Sequence, residues 1–280
     1  MYRSVRFQRT LLLVAVILLA CTTIFPLWWL LVSSFTPELQ IFKQLGLWPQ
    51  AFTFENYVKG WQGLSNISFS TFFLNSFFMV GVQVIGTLFS SSLAAFAFAR
   101  LDFSFKPFLF AVMLLLMMLP HHVTLIPRYI IFHRLGWLDS YLPLTVPTFF
   151  AINGFFIFLM VQFIRGLPSE IDEAATVDGC TPIGIYWYII LPLIRPALVT
   201  AAIFTFIWNW NDFFSHLIYI SSPRLYTVAL ALRAYMDASA GTQFGPMFAM
   251  SILSLAPIFV MFVSAQRLLI AGIATTGLKG

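Results

Sequence analysis

Six apolar stretches, each of at least 19 residues, share a single formally charged side chain, Asp212. They run Leu11–Val32, Phe72–Phe98, Phe108–Ile126, Leu142–Ile164, Ala197–Ile220 and Met247–Ala265. At about 1.5 Å per residue, each is long enough to cross about 30 Å of hydrocarbon as an α-helix. The remaining composition agrees. Of 280 residues 60% are hydrophobic, and 15 basic plus 10 acidic residues are all the charge available. A soluble domain of this length would carry about 70 charged residues. The fold class expected is therefore all-α integral membrane, as one transmembrane domain over 1–280. Soluble enzymes and nucleic-acid binders are excluded, because the net charge of +5 is scattered rather than gathered in a basic patch. Cys21 lies in the first apolar stretch and Cys180 in a polar connection, so no disulfide framework is indicated.

The third stretch is the least regular: Pro120, His121 and His122 interrupt it and Pro127 is expected to end it. Arg3, Arg6 and Arg9 crowd the N-terminal tail, which places the N-terminus in the cytoplasm. Six spans return the C-terminus to the same side, with Arg100, Lys106, Arg165, Arg195, Arg267 and Lys279. Trp28 and Trp29 then mark the outer interface of the first span. The run Leu18-Leu19-Ala20-Cys21 loosely resembles a lipoprotein signal, but the apolar stretch continues to Val32 where a polar tether would be needed.

No lysine stands in a G-x-x-x-x-G-K-[ST] loop and no H-E-x-x-H occurs, so the chain has neither a phosphate cradle nor a zinc-protease signature. His121 and His122 have no nearby carboxylate and read as an interfacial pair rather than a metal site. The expectation is a non-catalytic chain that binds no cofactor or metal. Any ATP-driven movement must then enter through a contact.

The connection 165–196 between the fourth and fifth spans is the most informative segment. Pro168 and Ser169 start a helix whose first turns carry Glu170, Asp172 and Glu173, where acids favour the positive end of the dipole. Gly179 ends it, and Thr181-Pro182 begins a second helix with Tyr186, Trp187 and Tyr188. Read from composition, this helix–turn–helix is either a docking element or an ordinary amphipathic connector.

In the fifth span, Thr205, Asn209, Asp212 and His216 follow steps of four, three and four, and so share one face of a continuous helix. Trp208, Asn211 and Ser215 form an adjacent strip. Polar groups at that depth face a bundle interior or a water-filled cavity, and amides, a carboxylate and an indole suit a sugar. Interhelical hydrogen bonding that merely packs the bundle is the competing explanation. Asn75, Gln83 and Ser90 are weaker versions of the same signal, with Ser90 and Ala94 assigned to close helix packing.

Spacing within the connection is specific. Glu173-Ala174-Ala175, three residues, Gly179, nine residues, then Ile189-x-Leu191-Pro192 resembles the EAA loop of ABC importer permeases. Pro120, Pro127, Tyr129, Leu135-Gly136 and Asp139-Ser140 resemble the third-span exit of the carbohydrate-uptake group, and Trp210-Asn211-Asp212-Phe213 its fifth-span motif. The tail Gly272–Gly280 resembles its C-terminal end. Two departures stand out: Cys180 replaces the usual alanine, and His216 replaces a frequent proline, which implies a straighter outer end to the fifth span.

The resemblance implies the type I ABC importer permease fold, of the maltose-type second permease, in the bacterial inner membrane. It implies a heterodimer with a second permease, two ATPase subunits that hold ATP and Mg, and an extracytoplasmic solute-binding protein that delivers a sugar or oligosaccharide. It assigns ATPase coupling to Glu173, Ala174, Ala175, Asp178 and Gly179. The outer segments Ser33–Thr71 and Ser221–Pro246 are long enough to meet a binding protein, and the resemblance implies that the latter, with Ala238-Ser239-Ala240-Gly241, probes it. The alternative function is a self-sufficient secondary carrier or channel, which would need an internal repeat or several coupling-ion carboxylates, whereas Asp212 stands alone. A membrane-embedded enzyme would rest on His121 and His122 only.

Overall fold

The computed structural model describes residues 2–43, 47–64, 66–236 and 243–277. Among these residues the chain is helical, with one isolated bridge between Leu64 and Ile67. In order the helices are α1 (Tyr2–Ser34), α2 (Glu55–Gln62), α3 (Phe69–Arg100), α4 (Lys106–Met117), α5 (His121–Arg134), α6 (Leu142–Thr145) and α7 (Gly154–Arg165). There follow α8 (Glu170–Val177), α9 (Pro182–Leu193), α10 (Arg195–Trp210), α11 (Phe214–Tyr219), α12 (Val228–Ala234) and α13 (Phe244–Gly277).

Four stretches are long and apolar enough to cross a membrane: Arg9–Ser34, Phe69–Arg100, Leu142–Arg165 and Phe244–Ser264. The other two expected spans are broken. Phe108–Ile126 is not one helix: α4 stops at Met117 and α5 starts after Pro120, whose φ of −59° and ψ of 131° leave the helical region. Pro127 does not end this stretch but sits inside α5. Ala197–Ile220 is likewise two helices, α10 and α11, separated at 211–213. Replacing the proline with His216 therefore does not give a straight outer end. α9 and α10 together pass the test for a fifth crossing but are bent by 75°. The fourth stretch is irregular within its bounds, with a 3-10 segment over Val146–Phe150 and a left-handed Ala151 before α7.

Two compact units are present, 1–70 with 231–256, and 71–230 with 257–280. In the first, the side chains of α1 from Arg9 to Leu27 are exposed, as suits apolar residues bathed in lipid. The Asn56 amide donates to Ser34 O at 2.9 Å and Thr36 O at 2.8 Å, fixing α2 against the end of α1. Glu38 accepts from the backbone N–H groups of Phe244 and Gly245 at 2.7 and 2.8 Å, an anion at the start of α13. Ala238–Gly241 lie outside the described residues.

The second unit is organised on α3. One continuous core joins Ala95 and Phe96 of α3, Phe156, Ile157, Met160, Val161 and Ile164 of α7, and Ala197 and Ala201 of α10. The α7 positions recur at steps of one and three or four, the stripe of a helix with one buried face. Ala197 and Ala201, four apart and fully buried, let α10 approach closely. Higher on α3, the Gln83 amide donates to Leu144 O at 2.9 Å and the Ser90 hydroxyl to Thr148 O at 2.7 Å. These side chains supply donors to carbonyls of the irregular 142–150 segment, which hydrocarbon could not supply.

Gly86 allows that approach. A Cβ there would meet Thr148 Oγ1 at 2.3 Å and the Phe149 ring at 2.8 Å, while one at Gly81, a turn earlier, would meet nothing within 4 Å. Gly86→Ala is expected to destabilise the purified protein by about 1–3 kcal/mol, the usual cost of overpacking. Gly81→Ala should be neutral or slightly stabilising, since alanine is the better helix former. Thermal unfolding in detergent of the two variants side by side tests this.

Candidate functional site

Two features of the second unit are candidates for function. The first is the connection 165–196. α8 starts after Pro168, although the Ser169 side chain makes no capping bond. It ends in a Schellman motif: Cys180 N donates to Ala175 O at 2.9 Å, Gly179 N donates to Thr176 O at 3.0 Å, and Gly179 has φ +86°. A Cβ at Gly179 would touch nothing, so what glycine provides there is the left-handed backbone alone. Thr181 caps α9 by accepting from Gly184 N at 3.2 Å, with Pro182 in the first turn. A π-helical turn over Tyr186–Ile190 follows, ahead of Pro192.

This connection has two faces. Ala175, Ile185, Tyr186, Ile190 and Ile194 are buried in the core shared with α3 and α7. Glu173, Ala174, Asp178 and Gly179 are exposed, with Glu173 at the edge of a cleft that Arg100 and Asp172 also line. The five residues assigned to coupling thus divide, with Ala175 inside and four outside. Two apolar side chains that the sequence reading passed over join the outer face: Val177 is 88% exposed and Ile183 71%. The Tyr186 hydroxyl, 2.7 Å from the Ser92 hydroxyl, and Arg100, 2.5 Å from Asp172, tie the inner face to α3.

The second feature is a cavity of about 360 Å³, within the range of small-molecule sites. α3 contributes Gln83 and Thr87, α5 Arg128, the break before α7 Ile152 and Asn153, α10 Asn209, the break after it Asp212, and α11 Ser215. Asn209 and Asn211 donate their amides to the carbonyls of Thr205 and Ile207, each at 2.8 Å, and Asp212 Oδ1 accepts from Ser215 N at 3.0 Å. Side chains of this kind compete with helical backbone bonding, which is why the helix stops here and restarts under an Asp212 cap.

The continuous polar stripe expected from spacing is therefore broken. Asn209 and Asp212 line the cavity, but Thr205 is buried outside its lining. Trp208 packs on Phe155, Phe156 and Phe204, Asn211 is exposed, and His216 is buried with Nδ1 2.9 Å from the Thr227 hydroxyl. Of the weaker signals, Gln83 lines the cavity, Ser90 is a packing hydrogen bond, and Asn75 donates to Arg224 O and Tyr226 O, both at 2.9 Å. Arg128 and Asn153 were missed: Arg128 lies just beyond the third apolar stretch, and Asn153 lies within the fourth, at a helix start that apolar length does not mark. The side chains of His121 and His122 are outside the described residues, as are Lys279 and Gly280.

A family model for the inner membrane component of binding-protein-dependent transport systems matches residues 86–273. This chain belongs to that family. Among its relatives, the probable ABC transporter permease protein YurM of Bacillus subtilis is 33% identical over 91% of this chain and 84% of its own length. The arabinooligosaccharides transport system permease protein AraQ of Halalkalibacterium halodurans is 30% identical over 96% of each. The fold matches a chain of a bacterial ABC transporter involved in the import of the acidic polysaccharide alginate, with a TM-score of 0.84, 20% identity and coverage of 95% and 97%. The protein is thus a multi-pass inner-membrane permease with the ABC importer permease fold.

Two connections in the second unit are tied by a clamp that the spacing did not reveal. Asp139, left-handed at φ +55°, accepts from Ser221 N at 2.9 Å, Ser222 N at 2.8 Å and the Ser222 hydroxyl, while its own N–H donates to Tyr219 O at 2.8 Å. It thereby joins the connections that follow α5 and α11, two helices whose Arg128, Phe132, Ser215 and Tyr219 line the cavity. The Ser222 hydroxyl, with the Ser222 and Ser221 backbone donors, holds the Asp139 carboxyl below its ordinary value of 3.8. Because the folded pKa is depressed, the clamp's contribution is complete above the unfolded value and is lost as pH falls through the folded one. Asp139→Ala should therefore lower the melting temperature by a constant amount above about pH 5 and by progressively less in more acid buffer. A melting-temperature series against pH for both proteins checks the sign.

Proposed function

We propose that this permease forms half of the translocation pathway of an ATP-driven importer for a sugar or oligosaccharide, paired with a second permease and driven by two ATPase subunits docked at α8. The observation that carries the reading is the two-faced connection: one side is locked into the core, and the other offers Glu173, Ala174, Val177, Asp178 and Gly179. Membership of a binding-protein-dependent family supports a solute-binding protein as the source of substrate, and the name of the AraQ relative favours an oligosaccharide. The arginines of the N-terminal tail support cytoplasmic termini, with 165–196 on the same side.

In this reading α8 enters a groove of the ATPase, where Val177 fills an apolar recess and Glu173 and Asp178 meet cations. Asp178→Arg reverses one contact, and Gly179→Asp strains the left-handed turn. A charge mismatch in a docked interface costs about 2–5 kcal/mol, enough to weaken association at least about thirtyfold. Both variants should insert normally yet lose the ATPase on purification, or keep it with hydrolysis that no longer responds to loaded binding protein. Normal ATPase retention and normal uptake in both would remove α8 from this role and favour a self-sufficient carrier.

The cavity at the α10–α11 break is the proposed substrate path, with Asn209, Asp212, Gln83 and Asn153 as hydrogen-bonding partners for hydroxyl groups. Asp212→Asn keeps the oxygen that caps α11 and removes only the charge, so it separates the two uses of this residue. Asn209→Ala and Asp212→Asn are expected to reduce growth on a panel of oligosaccharides while leaving expression and ATPase retention unchanged. Unimpaired growth of both would exclude these side chains from the path.

A further inference from the structure

Arg100, in the last turn of α3, reaches two points of the connection. Its Nε is 2.5 Å from Asp172 Oδ2, in the first turn of α8, and its Nη2 donates to Leu167 O at 2.9 Å, just before that helix. The two side chains are 14% and 17% exposed, so the charges are largely withdrawn from water and depend on each other. One guanidinium thus pairs its charge with Asp172 through Nε and donates a hydrogen bond through Nη2 to the Leu167 carbonyl. A second bond, between the Ser92 and Tyr186 hydroxyls at 2.7 Å, holds α9 to the same helix. Both arms of the connection are thus fastened to α3.

α3 then runs unbroken from Arg100 back to Thr87 and Gln83 in the cavity wall. Gln83 is 17 residues away, about 25 Å along a helix. α7 and α10 also lead from the connection to the cavity, at Asn153 and Asn209, but among the described residues neither is joined to α8 by an ion pair. α10 in addition meets α9 at 75°. A continuous hydrogen-bonded helix transmits displacement along its length, whereas a bend or an irregular segment absorbs it.

We propose that Arg100 and Asp172 are positioning residues: their ion pair clamps α8 to α3, so that movement imposed on α8 by the ATPase is delivered to the cavity wall at Thr87 through α3. This rests on the docking of the ATPase at α8 set out above.

The test uses the whole transporter, assembled with its second permease and ATPase in liposomes, in a background with Cys21→Ser and Cys180→Ser. Thr87→Cys is labelled with a small membrane-impermeant methanethiosulfonate, with and without ATP and vanadate. In the parent the labelling rate should change with nucleotide by about tenfold, an ordinary magnitude for coupled sites. Arg100→Gln and Asp172→Asn should keep the ATPase bound and hydrolysing while that change falls below about twofold, the lower edge of measurable coupling. The exchange of Arg100→Asp with Asp172→Arg should restore most of it, which a loss of fold would not. A parent site insensitive to nucleotide, single variants with the full response, an exchange that restores nothing, or loss of the ATPase from either single variant would each overturn the clamp. Asp178→Arg in the same assay separates the two ideas: if it retains both the ATPase and the response, the docking reading fails. If it loses the ATPase while Arg100→Gln responds fully, only the clamp fails.

Discussion

Hydrocarbon offers no partner to a peptide group, and the second unit is arranged around that constraint. A break in a spanning helix survives only where another group bonds the freed carbonyls or where the break borders a cavity. Both solutions appear. Carbonyls of the 142–150 segment receive donors from Gln83 and Ser90 of α3, and the breaks at 151–153 and 211–213 both line the cavity. The polar side chains of α3 therefore have a cause that precedes function: without them the neighbouring segment could not be irregular. An irregular neighbour is in turn what leaves space for a polar path. Gly86 sets how near the two can lie.

The same helix explains why the connection 165–196 is a rigid element rather than a strap. Ala175, Tyr186 and Ile190 are as deeply buried as the spanning residues they pack on, and Arg100 and Ser92 add directed contacts. Burial of that kind makes the inner face expensive to separate, because each large apolar side chain contributes about 1.5–3 kcal/mol. A push on the exposed face is then not dissipated by local unfolding of the connection. It must move the helices to which the inner face belongs.

Much of this was legible before any coordinates. Apolar length gave four of the spans, and Gly179 was readable as a helix end because a helix start with Thr181-Pro182 follows it directly. The breaks were harder. Pro120 announced one correctly, while Pro127 suggested a second that does not exist, since neighbouring structure tolerates a proline in the second turn of α5. Counting in steps of three and four through Trp210-Asn211-Asp212 assumed the helix continues, just where amides and a carboxylate compete for its backbone. Asn209 and Asp212 still reached the cavity, but Thr205, Trp208 and Asn211 went elsewhere. Arg100 was counted as one more positive charge at a span end. Its partner is 72 positions away, and no periodicity connects them.

Asp212 shows how little charge such a chain can spare. It is the single formally charged residue within the six apolar stretches, and one of its oxygens is already committed to Ser215 N. Asp212 lines a cavity that Arg128 of α5 also lines, so an acidic and a basic residue border the same space from different segments. A carboxylate at this depth is tolerated because the cap satisfies one side of it and the cavity keeps the other polar. A site built this way presents an acceptor, a strong donor and several amides over a short distance, with little net field.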